Sequence, residues 1–470
     1  MNNKSLYQTS YDRQSCHIGI VHIGYGNFHR AHQAVYIDDY MQASGDLNWG
    51  IAAVNLRASE TEYFRHAAQA QDGYVVKTIA PDGAVSFRIV RAHMAFVDAP
   101  SEQEKAITLL NNESIKAVTV TVTESGYYLD QDNQLDLSHD IIRESLNGTN
   151  PETIYAYLCA ALKCRAEGIG KPVTILCCDN MRSNGIILKN ALLSYIKAMG
   201  DDALFSWVEG NVTFPCSMVD RITPQSSQAL REEISAQFAD CNIAPVHAET
   251  FIQWVIEDDF AGDMPALEEV GVQIVPEVEP FEEAKIRILN GGHSGLAYLG
   301  VLAGHKTFDE AMRDPMLAAH FDKFEIEEVL HGLGPSIPFD TTAYLSQIKA
   351  RFENSGIADN LERICMDGYS KMAIYIRPTL ESCLEKGIIP EAGFDTIASW
   401  IIYARRCKQG VCTVPYHEPC WDKLLPMIEE GQEAALASDP NLWGDLPHRF
   451  DNFVPSVVSA IHRMDVKWQA

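Results

Sequence analysis

Positive charge is scarce in this chain: 37 Lys and Arg stand against 64 Asp and Glu, a formal net charge of -27 over 470 residues. A surface this negative repels a phosphate backbone, and no basic patch interrupts it, so nucleic acid is not expected as a partner. Long apolar runs are missing as well. The most apolar stretches, 18–23 and 117–122, have strand length and fall far short of the roughly 20 residues a membrane-spanning helix needs. The N-terminal segment MNNKSLYQTSYDRQS lacks the apolar run of a secretory signal. None of the 12 cysteines forms a C-x-x-C pair, so free buried thiols are expected in place of disulfides or a zinc site. A cytoplasmic protein with no membrane segment is therefore expected. Internal repeats and low-complexity tracts are absent too.

What is present is an ordinary globular composition, 46% hydrophobic and 21% charged, long enough for about two or three domains. IGIVHIGYG (from Ile18), WGIAAVNL (from Trp49), AVTVTVTESGY (from Ala117) and PVTILCCDN (from Pro172) are Val- and Ile-rich with little polar alternation. Runs of that kind suit strands buried on both faces of a parallel sheet. Helical stretches at 31–42 and 152–167 separate them, giving an open α/β sheet. YVVKTIA and AVSFRIV read as an antiparallel hairpin turning at Pro81-Asp82-Gly83. Beyond about residue 280 strand signals fade, and helices are expected at 281–302, 343–354, 395–406 and 421–433. The reading is a nucleotide-binding domain over 1–280 and a mainly helical domain over 281–470, with ligand expected in a cleft between them.

The first strand runs into Gly24-Tyr25-Gly26-Asn27-Phe28-His29-Arg30. Gly24 permits a tight turn, and Gly26 lets a pyrophosphate approach backbone N–H groups at a helix N-terminus. His29 occupies the third glycine position of the dinucleotide fingerprint. Gly24, Gly26, Asn27 and Phe28 are therefore candidate cofactor contacts, the alternative being a tight turn into an ordinary helix. A ribose-binding acid should close the second strand. That strand ends Asn55-Leu56-Arg57 instead, and Arg57 would suit a 2′-phosphate, so NAD is expected with NADP still open.

The richest polar stretch is Glu282-Glu283-Ala284-Lys285-Ile286-Arg287-Ile288-Leu289-Asn290-Gly291-Gly292-His293. On a regular helix Glu282, Lys285, Asn290 and His293 fall within an arc of about 140°. A lysine in a partly apolar cleft loses proton affinity, which fits it to take an alcohol proton near neutral pH. Asn290 would then donate to the oxygen that gains charge, and His293 would bind a hydroxyl. The competing reading is an amphipathic helix with a solvated polar face, its regularity interrupted at Gly291-Gly292. Asp179-Asn180 and Asp220-Arg221 follow apolar strands, where α/β sheets place their chemistry or simply cap helices.

GYGNFHRAHQAVY, TESGY, CDNMRSNG, MVDRITP, QWVIEDDF, KIRILNGGHS and MDGYSK occur in that order over about residues 18 to 380. Together they resemble the polyol-specific long-chain dehydrogenases, the mannitol dehydrogenase family. The resemblance implies a Rossmann-type N-terminal domain, a mainly α-helical C-terminal domain, and metal-independent hydride transfer between NAD(P) and a secondary alcohol. It matches the family's catalytic lysine to Lys285, its two oxygen-cradling asparagines to Asn180 and Asn290, its substrate histidine to His293, and its proton-relaying glutamate to Glu282. Asp220, Arg363 and Lys371 are matched to substrate-binding positions. Family members often carry Ala-Ser where this chain has Gly291-Gly292.

The family divides between neutral polyols and hexuronates. FIQWVIEDDF and FEEAKIRILN look closer to D-arabinitol and mannitol dehydrogenases, so a polyol and its ketose are the expected substrate pair. A hexuronate would need a cation for its carboxylate, from Arg363, Lys371 or Arg30. A non-catalytic binder of NAD or sugar is the remaining alternative, and it would have no need of Lys285. Oligomeric state is not legible.

Overall fold

The structure is a computed structural model that describes residues 6–70, 72–130, 132–238, 243–334 and 337–469. The chain divides into two compact units that meet at residues 279 and 280 of the sequence.

The first unit is built on six parallel strands: β1 Ile18–Ile23, β2 Gly50–Asn55, β3 His93–Asp98, β4 Ala117–Val120, β5 Val173–Cys177 and β6 Val212–Thr213. Their order across the sheet is β3-β2-β1-β4-β5-β6, so the direction of winding reverses between β1 and β4. This is the Rossmann-type arrangement, in which ligands bind outside the C-terminal strand ends at the reversal. Every residue of β2, β4 and β5 is buried, which is why these strands read as unbroken apolar runs. The expected helix at 31–42 is split into Asn27–Ala31 and Gln33–Ser44 by His32, whose φ of -123° and ψ of -88° are not helical. The hairpin Tyr74–Ile79 with Val85–Val90 forms as expected. Leu6–Gln8 and Val246–Glu249 pair in parallel along its outer edges. A three-stranded sheet of Ser217–Asp220, Gln253–Glu257 and Gln273–Val275 completes this unit.

The second unit is helical. Three of its helices contain a π-helical stretch, at Lys285–Asn290, Lys323–Val329 and Met372–Ile376. Each is closed by an N–H donating to a carbonyl five residues earlier: Gly291 to Ile286, Leu330 to Glu325, and Arg377 to Met372. The expected helix at 421–433 does not form. Trp421–Leu424 and Glu433–Ala437 are short helices separated by turns. Pro426 has no N–H to continue the ladder, and Gly431 adopts a left-handed φ of +85°.

No helix among the described residues is long and apolar enough to cross a membrane. The eleven described cysteines are free thiols.

Glu391–Lys408 begins after Pro390, which has no side chain to cap it. Glu328 does so from another helix, accepting from Ala392 N at 2.6 Å and Gly393 N at 2.8 Å. Burial pushes the Glu328 carboxyl up to about 7, the two N–H donors only partly opposing it. An acid whose folded-state pKa is raised stabilises the fold fully below its unfolded value and loses that contribution as pH rises through the folded one. For Glu328 the window is about pH 4.5 to 7, and the contribution is about 3 kcal/mol. Glu328→Gln should flatten this part of a denaturation series between pH 5 and 8. Identical slopes for both proteins would show that Glu328 does not titrate there.

Candidate functional site

The two glycines after β1 do different work. Gly24 has a φ of +93°, and a Cβ on it would lie 2.0 Å from the Thr121 carbonyl oxygen, so both backbone conformation and packing require glycine. Among the described residues, a Cβ on Gly26 would meet nothing within 4 Å. Open space therefore lies over Gly26 at the tip of β1, beside the strand-order reversal, as a pyrophosphate-binding turn requires.

The residue in place of the third glycine is accommodated by aromatic stacking. The His29 ring lies on His22 at 3.3 Å between centroids, and its Nε2 is 2.9 Å from His93 Nε2. Burial, followed by the neighbouring imidazoles, holds His29 well below the ordinary histidine range, and burial pushes His93 down to about 3. Phe28 stacks on His32 at 4.8 Å. Asn27 Nδ2 donates to Pro224 O and to Ser226 Oγ, so its amide ties the turn to the segment after Asp220.

Arg30 is fully buried between the rings of Tyr25, Tyr63 and Tyr74, and it donates to Asn27 Oδ1, Tyr63 Oη and Ala244 O. This burial removes Arg30 from the cations expected to meet a substrate carboxylate.

Arg57 is exposed just beyond β2, with its guanidinium 3.4 Å from where a Cβ on Gly126 would lie. Asn55 Nδ2 donates both to Arg57 O and to a buried acid, Asp98. Asp98, the last residue of β3, accepts from Asn55 Nδ2, Thr61 Oγ1 and Ser101 Oγ and pairs with Arg65.

Asn180 is exposed three residues past β5, and buried Asp220 closes Ser217–Asp220 opposite Gln253. Arg221, beside it, is spent on carbonyl oxygens of Glu249 and Ala31.

In the second unit Glu282, Lys285, Asn290 and His293 lie on one continuous helical path, Glu279–Ala284, Lys285–Asn290 and Gly291–Leu302. Glu282 and Lys285 are buried, the lysine to 7% exposure. On an α-helix residues five apart point about 140° away from each other. The wider i→i+5 winding brings Lys285 and Asn290 closer to a common face, the usual reason such turns occur at functional sites. The irregularity was expected at Gly291-Gly292. It lies instead immediately before them, and the glycines continue as α-helix.

Those glycines are contact points. A Cβ on Gly291 would lie 3.3 Å from Tyr375 O, and one on Gly292 would lie 2.6 Å from Glu325 Oε1 and 3.0 Å from the Phe321 ring. Tyr375 and Glu325 belong to the other two π-helical stretches, so all three converge on the Asn290–His293 segment. Glu325 is fully buried, and neither carboxyl oxygen has a hydrogen-bond partner among the described residues. Burial raises it well above the ordinary carboxyl range, with Arg287 partly offsetting the effect. Nothing in its sequence context distinguishes Glu325 from a surface glutamate.

His293 is packed face-on against Phe352 at 4.1 Å and edge-on to Phe308 at 4.7 Å. Its Nε2 is buried without a partner among the described residues. Burial, then Arg363, Arg351 and Lys371, holds the ring well below its ordinary pKa, hence neutral. Arg363 is paired through two contacts with Asp359, and Lys371 Nζ donates to Ile364 O at 2.8 Å.

Gly292→Ala would push on the Glu325 carboxyl in a filled core, at about 1–3 kcal/mol. In a double-mutant cycle of thermal unfolding, Gly292→Ala with Glu325→Val should be less destabilised than the two single effects sum to. Additive effects would contradict the contact.

The mannitol dehydrogenase Rossmann domain model matches residues 18–269, and the mannitol dehydrogenase C-terminal domain model matches residues 277–465. Mannitol 2-dehydrogenase of Cereibacter sphaeroides is 36% identical over 447 residues, covering 94% of this chain and 93% of its own length. D-arabinitol 4-dehydrogenase of Klebsiella pneumoniae is 36% identical over 435 residues, covering 92% and 95%. Among solved structures, Pseudomonas fluorescens mannitol 2-dehydrogenase in a ternary complex with NAD and D-mannitol matches with a TM-score of 0.84 and 31% identity, over 98% of this chain and 94% of that one. Matched in both halves by the family's own domains and along nearly its whole length by these relatives, the chain belongs to the mannitol dehydrogenase family.

Proposed function

We propose that this protein is an NAD-dependent polyol dehydrogenase, interconverting a polyol of the mannitol or D-arabinitol class and its ketose. One observation carries the reading: a buried lysine and an asparagine five residues on share a π-turn, which draws an amine and an amide donor toward one face. The relatives' substrates and the NAD-bound neighbour support the same assignment. For the cofactor, Gly24, Gly26, Asn27 and Phe28 form the turn under an open space that suits a pyrophosphate, and the exposed Arg57 just beyond β2 would suit a 2′-phosphate. When bound, NAD supplies the nicotinamide carbon that accepts the hydride.

Lys285, as the neutral amine, takes the proton of the reacting hydroxyl. Asn180 and Asn290 donate to the oxygen as it gains negative charge, in the manner of preorganised oxyanion donors. His293, neutral and with Nε2 unpartnered among the described residues, is suited to a substrate hydroxyl. Glu282, one turn before the lysine, passes the proton onward, and Asp220, Arg363 and Lys371 are assigned to the remaining hydroxyls.

Charge bookkeeping favours a neutral polyol over a hexuronate. Arg30 is sealed inside the first unit, Arg363 is neutralised by Asp359, and Lys371 is engaged by a carbonyl. A substrate carboxylate at Arg363 would have to share the guanidinium with Asp359. The free thiols among the described cysteines suit the reducing cytoplasm, and the net charge of -27 disfavours nucleic acid as a partner.

Lys285→Ala should lower polyol turnover by about 10²–10⁴-fold near neutral pH while NAD binding, followed by fluorescence titration, persists. Near-normal turnover would reject the lysine as base. Oxidation of mannitol and D-arabinitol should exceed reduction of fructuronate or tagaturonate; activity confined to the hexuronates would overturn the substrate class. Arg57→Ala should lower kcat/KM with NADP about tenfold or more and leave NAD nearly unaffected, as loss of one charge-assisted phosphate contact predicts. Equal losses with both cofactors would remove Arg57 from the 2′-phosphate.

A further inference from the structure

Asp179 sits between the end of β5 and the exposed Asn180, and it is held at two points. Its buried carboxylate accepts from Tyr127 Oη at 2.6 Å, Val122 N at 2.8 Å and Thr123 N at 3.1 Å. All three donors belong to the segment leaving β4. Thr123 there has a φ of +68° and a ψ of 157°, a conformation nearly reserved for glycine, and such strain persists where surrounding bonds enforce it. At the backbone, Asp179 O accepts from Asn184 Nδ2 at 3.1 Å. The same Asn184 side chain donates to Cys177 O and Ser217 O and accepts from Ser217 N, so this anchor is itself tied to the neighbouring sheet. Asn180 is the first exposed residue beyond the two anchors.

We infer that Asp179 is a positioning residue: by bolting the exit of β4 to the exit of β5 it sets the direction in which Asn180 presents its amide. This deepens the proposed function and rests on Asn180 acting as a donor to the reacting oxygen. An isosteric amide cannot substitute. Asparagine would offer one acceptor oxygen to three donors and would turn its NH₂ toward backbone N–H groups.

The clamp has a pH signature. Burial pushes the Asp179 carboxyl up to about 6, against the three hydrogen bonds that favour its charged form. The ionisable groups facing it are Tyr127 and Glu124 from the β4 exit and Cys177 and Cys178 from β5. Burial raises Tyr127 and both thiols far above neutrality, so they stay protonated, and Glu124 adds a like charge. Below about pH 6 the carboxyl gains a proton, becomes a donor itself, and leaves the Val122–Thr123 turn under-satisfied.

Ketose reduction is the direction to measure, because the proposed lysine must then be protonated and contributes no loss at low pH. In wild type, kcat for reduction should fall below about pH 6. Asp179→Asn should lower kcat about tenfold or more, change KM for ketose and the Kd for reduced cofactor less than about threefold, and lack the acid limb, as expected for a group that orients a transition-state donor. Wild-type kcat, or an acid limb that survives in Asp179→Asn, would overturn the proposal. Tyr127→Phe keeps the carboxylate and removes one bond to its charged form, so it should move the limb to higher pH. It supplies the test if Asp179→Asn fails to fold, and an unmoved limb would count against the clamp. Asn180→Ala separates the two layers of inference. Normal turnover in that variant would reject Asn180 as a donor, whereas a dead Asn180→Ala beside an unaffected Asp179→Asn would reject the clamp alone.

Discussion

The second unit depends on one backbone constraint, the i→i+5 turn that ends with Gly291 N–H on Ile286 O. It places an extra residue between Lys285 and Asn290, and the packing at Gly291 and Gly292 keeps it there. Straightening this stretch would rotate the lysine relative to the amide, Phe321 and Tyr375 leave little room for that rotation, and Glu325 fills the space a larger residue at Gly292 would need. Two of the neighbouring helices carry their own π-turns at the contact, so the irregularity belongs to the whole cluster. A buried acid with no hydrogen-bond partner among the described residues is an expensive neighbour. Its cost is limited because the carboxyl stays protonated, and the close fit against a glycine gives it a packing role.

The first unit solves a different problem, holding strand tips in register around an open space. Gly24 is dictated by the approach of Thr121 O, and among the described residues no neighbour lies over Gly26, which leaves room for a ligand. Around that turn the polar side chains bind one another. Asn27 and Arg30 tie it to the segments at 224–226 and 244, Asn55 and Asp98 join the tips of β2 and β3, and Asp179 joins the exits of β4 and β5. Fully buried parallel strands have no slack in register. These side-chain bonds extend that rigidity past the last ladder bond, to the loops where chemistry takes place.

Strands were legible in the sequence because a strand buried on both faces must be apolar at every position, which is what β2, β4 and β5 show. The glycine turn was legible for the same kind of reason, since a left-handed φ and a carbonyl close to Cβ leave few alternatives to glycine at 24. The π-turns were not, because no residue pattern encodes an i→i+5 bond; tertiary packing selects it. Residues 421–433 have the apolar spacing of a helix, but Pro426 and the left-handed Gly431 interrupt it. Arg30 read as a cation available to a substrate carboxylate because its aromatic partners Tyr63 and Tyr74 come from other elements. His29 read as a defect in the fingerprint, yet its ring stacks on His22, a contact no local rule foresees.

The proposed proton transfer requires a neutral amine at Lys285, and chemical rescue addresses that amine without relying on loss of function. In Lys285→Ala, small primary amines added to the assay should restore polyol oxidation in proportion to the concentration of unprotonated amine, across amines of different pKa. Failure of every amine to restore turnover, in a variant shown to bind NAD, would contradict the lysine as the base on which the mechanism is built.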